Sequence, residues 1–247
     1  MTFTPLVLMD CRLYLDGADL TGYSNKAELA AKPAKLTRTT FADGGSNTYV
    51  GGVFDGTANL EGFWQAGDLS QPDDSFWTNL GTSTVPLTGV PTGGAVGDLA
   101  YLTRGLETQY QPGAKHGELM AWTASLETNW PIARGKILHP QGTARTATGN
   151  GTGVQLGAVD ANHALYVNLH VMSYVDGSLT VNVQDSVDNT FGSPHASGSF
   201  TAATALGGQT LKIAGGITNT WWRITWTITG GVTHSFLFAV SAGIGPK

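Results

Sequence analysis

Apolar and polar positions alternate with a period of two along much of this chain, as they do in strands buried on one side. Leu13, Leu15 and Leu20 sit between polar neighbours, with Asp16-Gly17 as a turn signal. Asn25–Leu29 begins a second strand. Thr37–Phe41 alternates weakly and leads into the flexible loop Asp43-Gly44-Gly45-Ser46-Asn47. Ala58–Trp64 alternates cleanly. One helix is predicted over Gln71–Gly81: Pro72, Asp73 and Asp74 suit a first turn, and Gly81 suits a stop. Phe76, Trp77 and Leu80 are expected to share one face of it. Thr82–Gly97 is rich in Thr, Pro and Gly and reads as a connector. Leu99–Thr103 and the long run Glu118–Glu127 then flank a turn region at Gln111-Pro112-Gly113. Glu118–Glu127 has the length and alternation to form a wall of a barrel or sandwich.

The later chain reads as plain all-β. Seven short runs are expected as strands: Gly153–Gly157, Ala164–Val171, Ser178–Asp185, Ser199–Thr201, Gln209–Ile213, Trp221–Ile228 and Ser235–Val240. That spacing predicts a β-sandwich of jelly-roll type, with tight turns at Asp176-Gly177 and Gly230-Gly231. Charge supports a division. Up to Ile137 there are 14 Asp and Glu against 9 Lys and Arg, and the remainder holds 4 of each. We therefore place a boundary near Leu138, giving units 1–137 and 138–247, with His139-Pro140-Gln141-Gly142 as the joint.

Composition narrows the function classes. The chain has 247 residues, 13% of them charged, with 34 glycines. So little charge fits a β-rich body partly covered by neighbours, or a secreted sandwich with a quiet surface. The net charge of −5 opposes a nucleic-acid grip, which needs clustered cations. A single cysteine, Cys11, excludes an internal disulfide framework. No apolar run approaches the roughly 20 residues of a membrane helix. The start lacks the pattern of a signal peptide, so the chain is expected to stay in the cytoplasm where it is made. Residues 1–10 read as a short lead that docks onto something.

Candidate chemistry is thin. The histidines form no HxH or HExxH pattern, and His163 and His170, seven apart, point to opposite faces of one strand. Asp185-Ser186-Val187-Asp188-Asn189 is a loose calcium-loop pattern without the closing Glu. The carboxylates Asp16, Asp19, Asp43, Asp55 and Glu61 sit mostly in turn contexts rather than as a glycosidase pair. Gly149–Gly153 lacks the Lys and helix of a phosphate loop. No cofactor or metal is expected, and no catalysis. Trp222 and Trp226, on one face of a strand, are a candidate glycan platform or else core residues.

Four motifs in order carry a resemblance: Asp19–Gly22 (Asp-Leu-Thr-Gly), Asn25–Leu29, Thr39–Asp43, and Gly52–Phe63 ending in Leu-x-Gly-Phe. The series resembles the tail tube proteins of long-tailed bacteriophages over roughly residues 6–137. The resemblance implies a mainly β fold: a tube-type β-sandwich or barrel with one short helix, then a jelly-roll-like β-sandwich. It implies a homo-oligomeric ring, usually a hexamer, stacked into a tube through which DNA passes without specific binding. Tape measure, tail terminator and distal tail proteins would be its partners. Asp19, Glu28, Asp43, Asp55, Glu61 and Phe63 become candidate ring and lumen residues, and Ala42–Gly51 a ring-to-ring contact. The second unit would be an outer decoration, with a host-surface glycan as a candidate partner, or a second tube-like sandwich in a pseudo-sixfold trimer.

Overall fold

The computed structural model describes residues 8–247, so most of the expected docking lead lies outside the described residues. The first strands are β1 Arg12–Leu15, β2 Ala18–Asp19, β3 Ser24–Thr37 and β4 Tyr49–Phe63. Helix α1 Pro72–Asn79 follows, then β5 Val85–Val90, β6 Leu99–Gly113, β7 Ala121–Thr128 and β8 Ala133–His139. The later strands are β9 Gly149–Asn150, β10 Val154–Gln155, β11 His163–Val175, β12 Ser178–Ser186 and β13 His195–Ser199. β14 Gly207–Ala214, β15 Trp221–Thr229 and β16 Ser235–Pro246 complete the chain. The fold is mainly β, with all named strand pairs antiparallel.

β6 is the branch point of the larger sheet. One edge pairs with β5, while the other pairs with β8 at Leu99–Leu102 and with β7 at Gly105–Gly113. The sheet runs on through β7 to β4 and β3, through β5 to β1 and β2, and through β8 to β16, β11 and β14. It curls over a first core but does not close into a barrel. There Leu13, Leu15 and Leu87 meet Leu60, Trp122 and Leu126. Burying each such side chain contributes about 1.5–3 kcal/mol. Four residues of β14–β11–β16–β8, Val167, Leu169, Phe238 and Val240, meet Val181, Val183, Trp222 and Ile224 of the five-stranded second sheet in a larger core.

Helix α1 forms as expected, with Pro72 early and two Asp in its first turn. Its face differs from the expectation. Phe76 is fully buried, stacked on Tyr110 and tilted against Trp122, whereas Trp77 and Leu80 are 68% and 44% exposed. Consecutive helical residues stand about 100° apart, which turns Trp77 away from the face of Phe76, and Leu80 follows the last helical residue with a ψ of 120°, which takes it off that face.

Thr82–Gly97 is not a connector throughout. Val85–Val90 is a fully buried strand between β1 and β6, short enough for Pro86 and Gly89 to mask its pattern. Positions 137 and 138 lie inside β8, which joins β6 on one side and β16 on the other. The expected turns at Asp176-Gly177 and Gly230-Gly231 exist, with φ of 53°, 85°, 74° and 74°. They carry the chain between the two sheets, however, rather than linking paired strands.

A polar seam lies where β5 packs on β11 and β16. His170 Nδ1 donates to the Asp16 carbonyl at 2.7 Å, which leaves Nε2 to accept from the Thr88 hydroxyl at 2.9 Å. Asn168 Nδ2 donates to the carbonyls of Leu87 and Thr103. Close backbone approach fixes this joint: a Cβ on Gly17 would lie 2.4 Å from the Gly207 nitrogen.

Candidate assembly surface

β3 and β4 form one long hairpin whose residues sort by face. Ala58, Leu60 and Gly62 of β4 point into the first core, and Ala27 and Leu29 of β3 pack beside them. The alternate positions point outward, as the pleat requires. Register sets Lys26 opposite Glu61, Glu28 opposite Asn59, and Lys32 opposite Asp55. β7 continues the outward row, with Thr123 opposite Glu61 and Ser125 opposite Asn59, and Gln109 and Gln111 of β6 follow. The outcome is a broad face of small polar and charged side chains. Lys26 Nζ bonds Glu61 Oε1 at 2.7 Å and stands 3.6 Å from Glu28, and these carboxylates hold the Lys26 pKa above its ordinary value, Glu61 most of all. Ser125 donates to Asn59 at 2.9 Å.

Of the six residues picked from sequence, Glu28, Asp55 and Glu61 share this face, with half-exposed Phe63 at its end. Asp19 and Asp43 do not join them. Asp19 accepts the Thr21 N–H and closes a turn after β2. Asp43 accepts the Thr40 N–H and hydroxyl at the hairpin tip, which lowers its pKa. Lys26, Thr123 and Ser125 were not singled out in the sequence. The alternation of Glu118–Glu127 held the signal for the last two, but only the register shows that their face continues that of Glu61.

The hairpin also outruns the sheet. β7 pairs with β4 only from Thr57 to Phe63, so the strand residues within 31–56 pair only with each other. At about 3.3 Å per residue, this arm projects about 25 Å. It exposes Leu36, Tyr49, Val50, Phe54 and, at the tip, Phe41. Lys35 Nζ lies 3.5 Å over the Tyr49 ring. The outer edge of β3 carries no strand partner among the described residues. A groove of about 410 Å³ opens along it, lined by Leu13, Ala27, Leu29, Tyr101 and Ile132.

The other candidate sites resolve into internal packing. Trp222 and Trp226 are buried in the larger core, donating to the carbonyls of Gly157 and Ala147, and present no open ring for a sugar. They point inward because their face of β15 is the one that meets the other sheet. In the calcium-like loop, buried Asp185 accepts from Asn219, Ser197 and His195, while Asp188 caps Thr190. His139 stacks on Phe238, and His163 pairs with Asp160 on the opposite face from His170. Glu107 is fully buried, and neither of its carboxylate oxygens has a partner among the described residues.

Several solved structures align with the chain. A chain from the virion of a native gene transfer agent particle aligns at 13% identity and a TM-score of 0.39, over 48% of this chain and 90% of its own. The Dit protein of SPP1 aligns at 11% identity and a TM-score of 0.34, over 96% of this chain and 100% of its own. A chain of the phage p2 baseplate aligns at 8% identity and a TM-score of 0.33, over 94% and 98%. No family model matches the chain, and no curated protein matches it.

Proposed function

We propose that this protein is a structural subunit of a phage tail, a tube subunit whose copies form stacked rings around a channel. The observation that carries this reading is the outward face of β3, β4, β7 and β6. That face is predominantly polar, with Phe63 at its end, while its reverse is core. Such a wall keeps water along a channel. Its carboxylates Glu28, Asp55, Glu61 and Glu127 outnumber Lys26 and Lys32, so it repels a polyanion instead of binding it. The β3 edge, which has no strand partner among the described residues, supports ring formation, because a neighbour's strand could pair with it and its side chains would fill the adjoining groove. The arm supports contact between rings. No catalysis is assigned to the chain, and the 138–247 portion is read as outer decoration of the ring.

The test is electron microscopy of the purified full chain, alone and with other tail components. Rings or tubes are expected. A monomer that stays dispersed in both preparations would overturn the reading. Tubes assembled from Glu61→Lys protein should pass DNA more slowly than the parent, since the reversal adds an anchor for phosphate.

A further inference from the structure

The two ends of the β3–β4 hairpin differ in charge. The arm, residues 31–56, holds Lys32, Lys35 and Arg38 against Asp43 and Asp55, a net +1 from three cations and two acids. Segment 64–80, which carries α1 at the other end, holds Asp68, Asp73 and Asp74 and no Lys or Arg, a net −3. Both ends expose large apolar groups. Phe41 and Phe54 on the arm are 110% and 47% exposed, and Trp77 beside the acids is 68% exposed.

We propose that the arm of one copy docks on the α1 face of a second copy, head to tail. This rests on the tube reading and names the receiving surface of the arm. Two arms meeting would set +1 against +1, whereas arm on α1 sets +1 against −3. Guanidinium and ammonium groups also gain from an exposed indole face. The acids are held in place for such a contact. Asp73 accepts the Trp64 indole N–H at 2.8 Å and the Tyr110 hydroxyl at 2.7 Å, and Asp74 accepts the Gly67 N–H. Since arm and α1 occupy opposite ends of one hairpin, the contact is heterologous and repeats by translation. That geometry generates an open stack, not a closed dimer.

The experiment is disulfide trapping in the full chain on a Cys11→Ser background. Thr37→Cys on the arm is combined with Thr78→Cys on α1, and in a control with Val187→Cys, which is exposed on the 138–247 portion. The arm–α1 pair should give a ladder of linked copies on a non-reducing gel, and the control pair none. Adding Lys32→Glu, Lys35→Glu and Arg38→Glu should weaken the ladder at least tenfold. Trp77→Ala should weaken it less. Tubes that form without the arm–α1 ladder would overturn this contact and leave the tube reading standing. A chain that forms neither ladder nor tubes would overturn both.

Discussion

The two cores of this chain are built from similar strands, yet the surfaces around them differ. Among the described residues, 14 large hydrophobic side chains are exposed up to Met120, and after Leu138 only Val175, Val187 and Val232 are. The later region closes on itself, with Trp222, Phe236 and Phe238 fully or almost fully enclosed. Among the described residues, the earlier region leaves a strand edge without a partner, an arm and exposed aromatic rings. On the tube reading, neighbouring copies would cover the exposed groups of the first region.

The sharpest way to break this contrast is to mutate equivalent aromatic groups in both regions. Trp222→Ala should cost about 3–5 kcal/mol in urea or thermal unfolding, because it empties a filled core. Phe41→Ser, at the arm tip, should change stability by less than about 0.5 kcal/mol and still abolish ring stacking in electron micrographs. Equal stability losses at the two positions would erase the distinction.

Acid should act mainly on the seam and the larger core. Burial lowers the pKa of both His170 and His139 to about 4, so each is neutral when folded. The unfolded chain takes up those protons first, near pH 6.5, so stability falls as pH drops from about 6.5 to 4. The loss is at most about 3 kcal/mol per histidine. Denaturation midpoints measured across that range should follow this slope, and His139→Phe should remove part of it.

Glu107 runs the other way. Burial, with a smaller push from Asp16, raises its pKa to about 8. Its protonated form is favoured on folding, so its contribution is present below about pH 4.5 and is lost as pH rises through about 8. Glu107→Gln should therefore gain about 1–3 kcal/mol at pH 8 relative to the parent and little at pH 4.5, measured by the same titration. The smallest effect belongs to the polar wall: Glu28→Gln should leave the unfolding midpoint within about 0.5 kcal/mol.

The fold class was legible because alternation at Ala58–Trp64 and Trp221–Ile228 survives in any single strand. The helix was legible because Pro72, Asp73, Asp74 and Gly81 act locally. Strand β5 was hidden because a fully buried six-residue run has no alternation to show. The polar wall was only half visible. Glu28, Asp55 and Glu61 could be picked out, but grouping them with Thr123 and Ser125, and excluding Asp19 and Asp43, needs the register of four strands. The roles of Trp222 and Trp226 depended on which face of β15 meets the other sheet, and spacing alone does not say.

The central claim is most directly tested by a cryo-EM map of the assembled protein, viewed down its axis with side chains resolved. The account predicts Glu28, Asp55, Glu61 and Ser125 lining the lumen, with Trp222 inside the outer domain. A map that turns this polar face to the outside of the ring would contradict it.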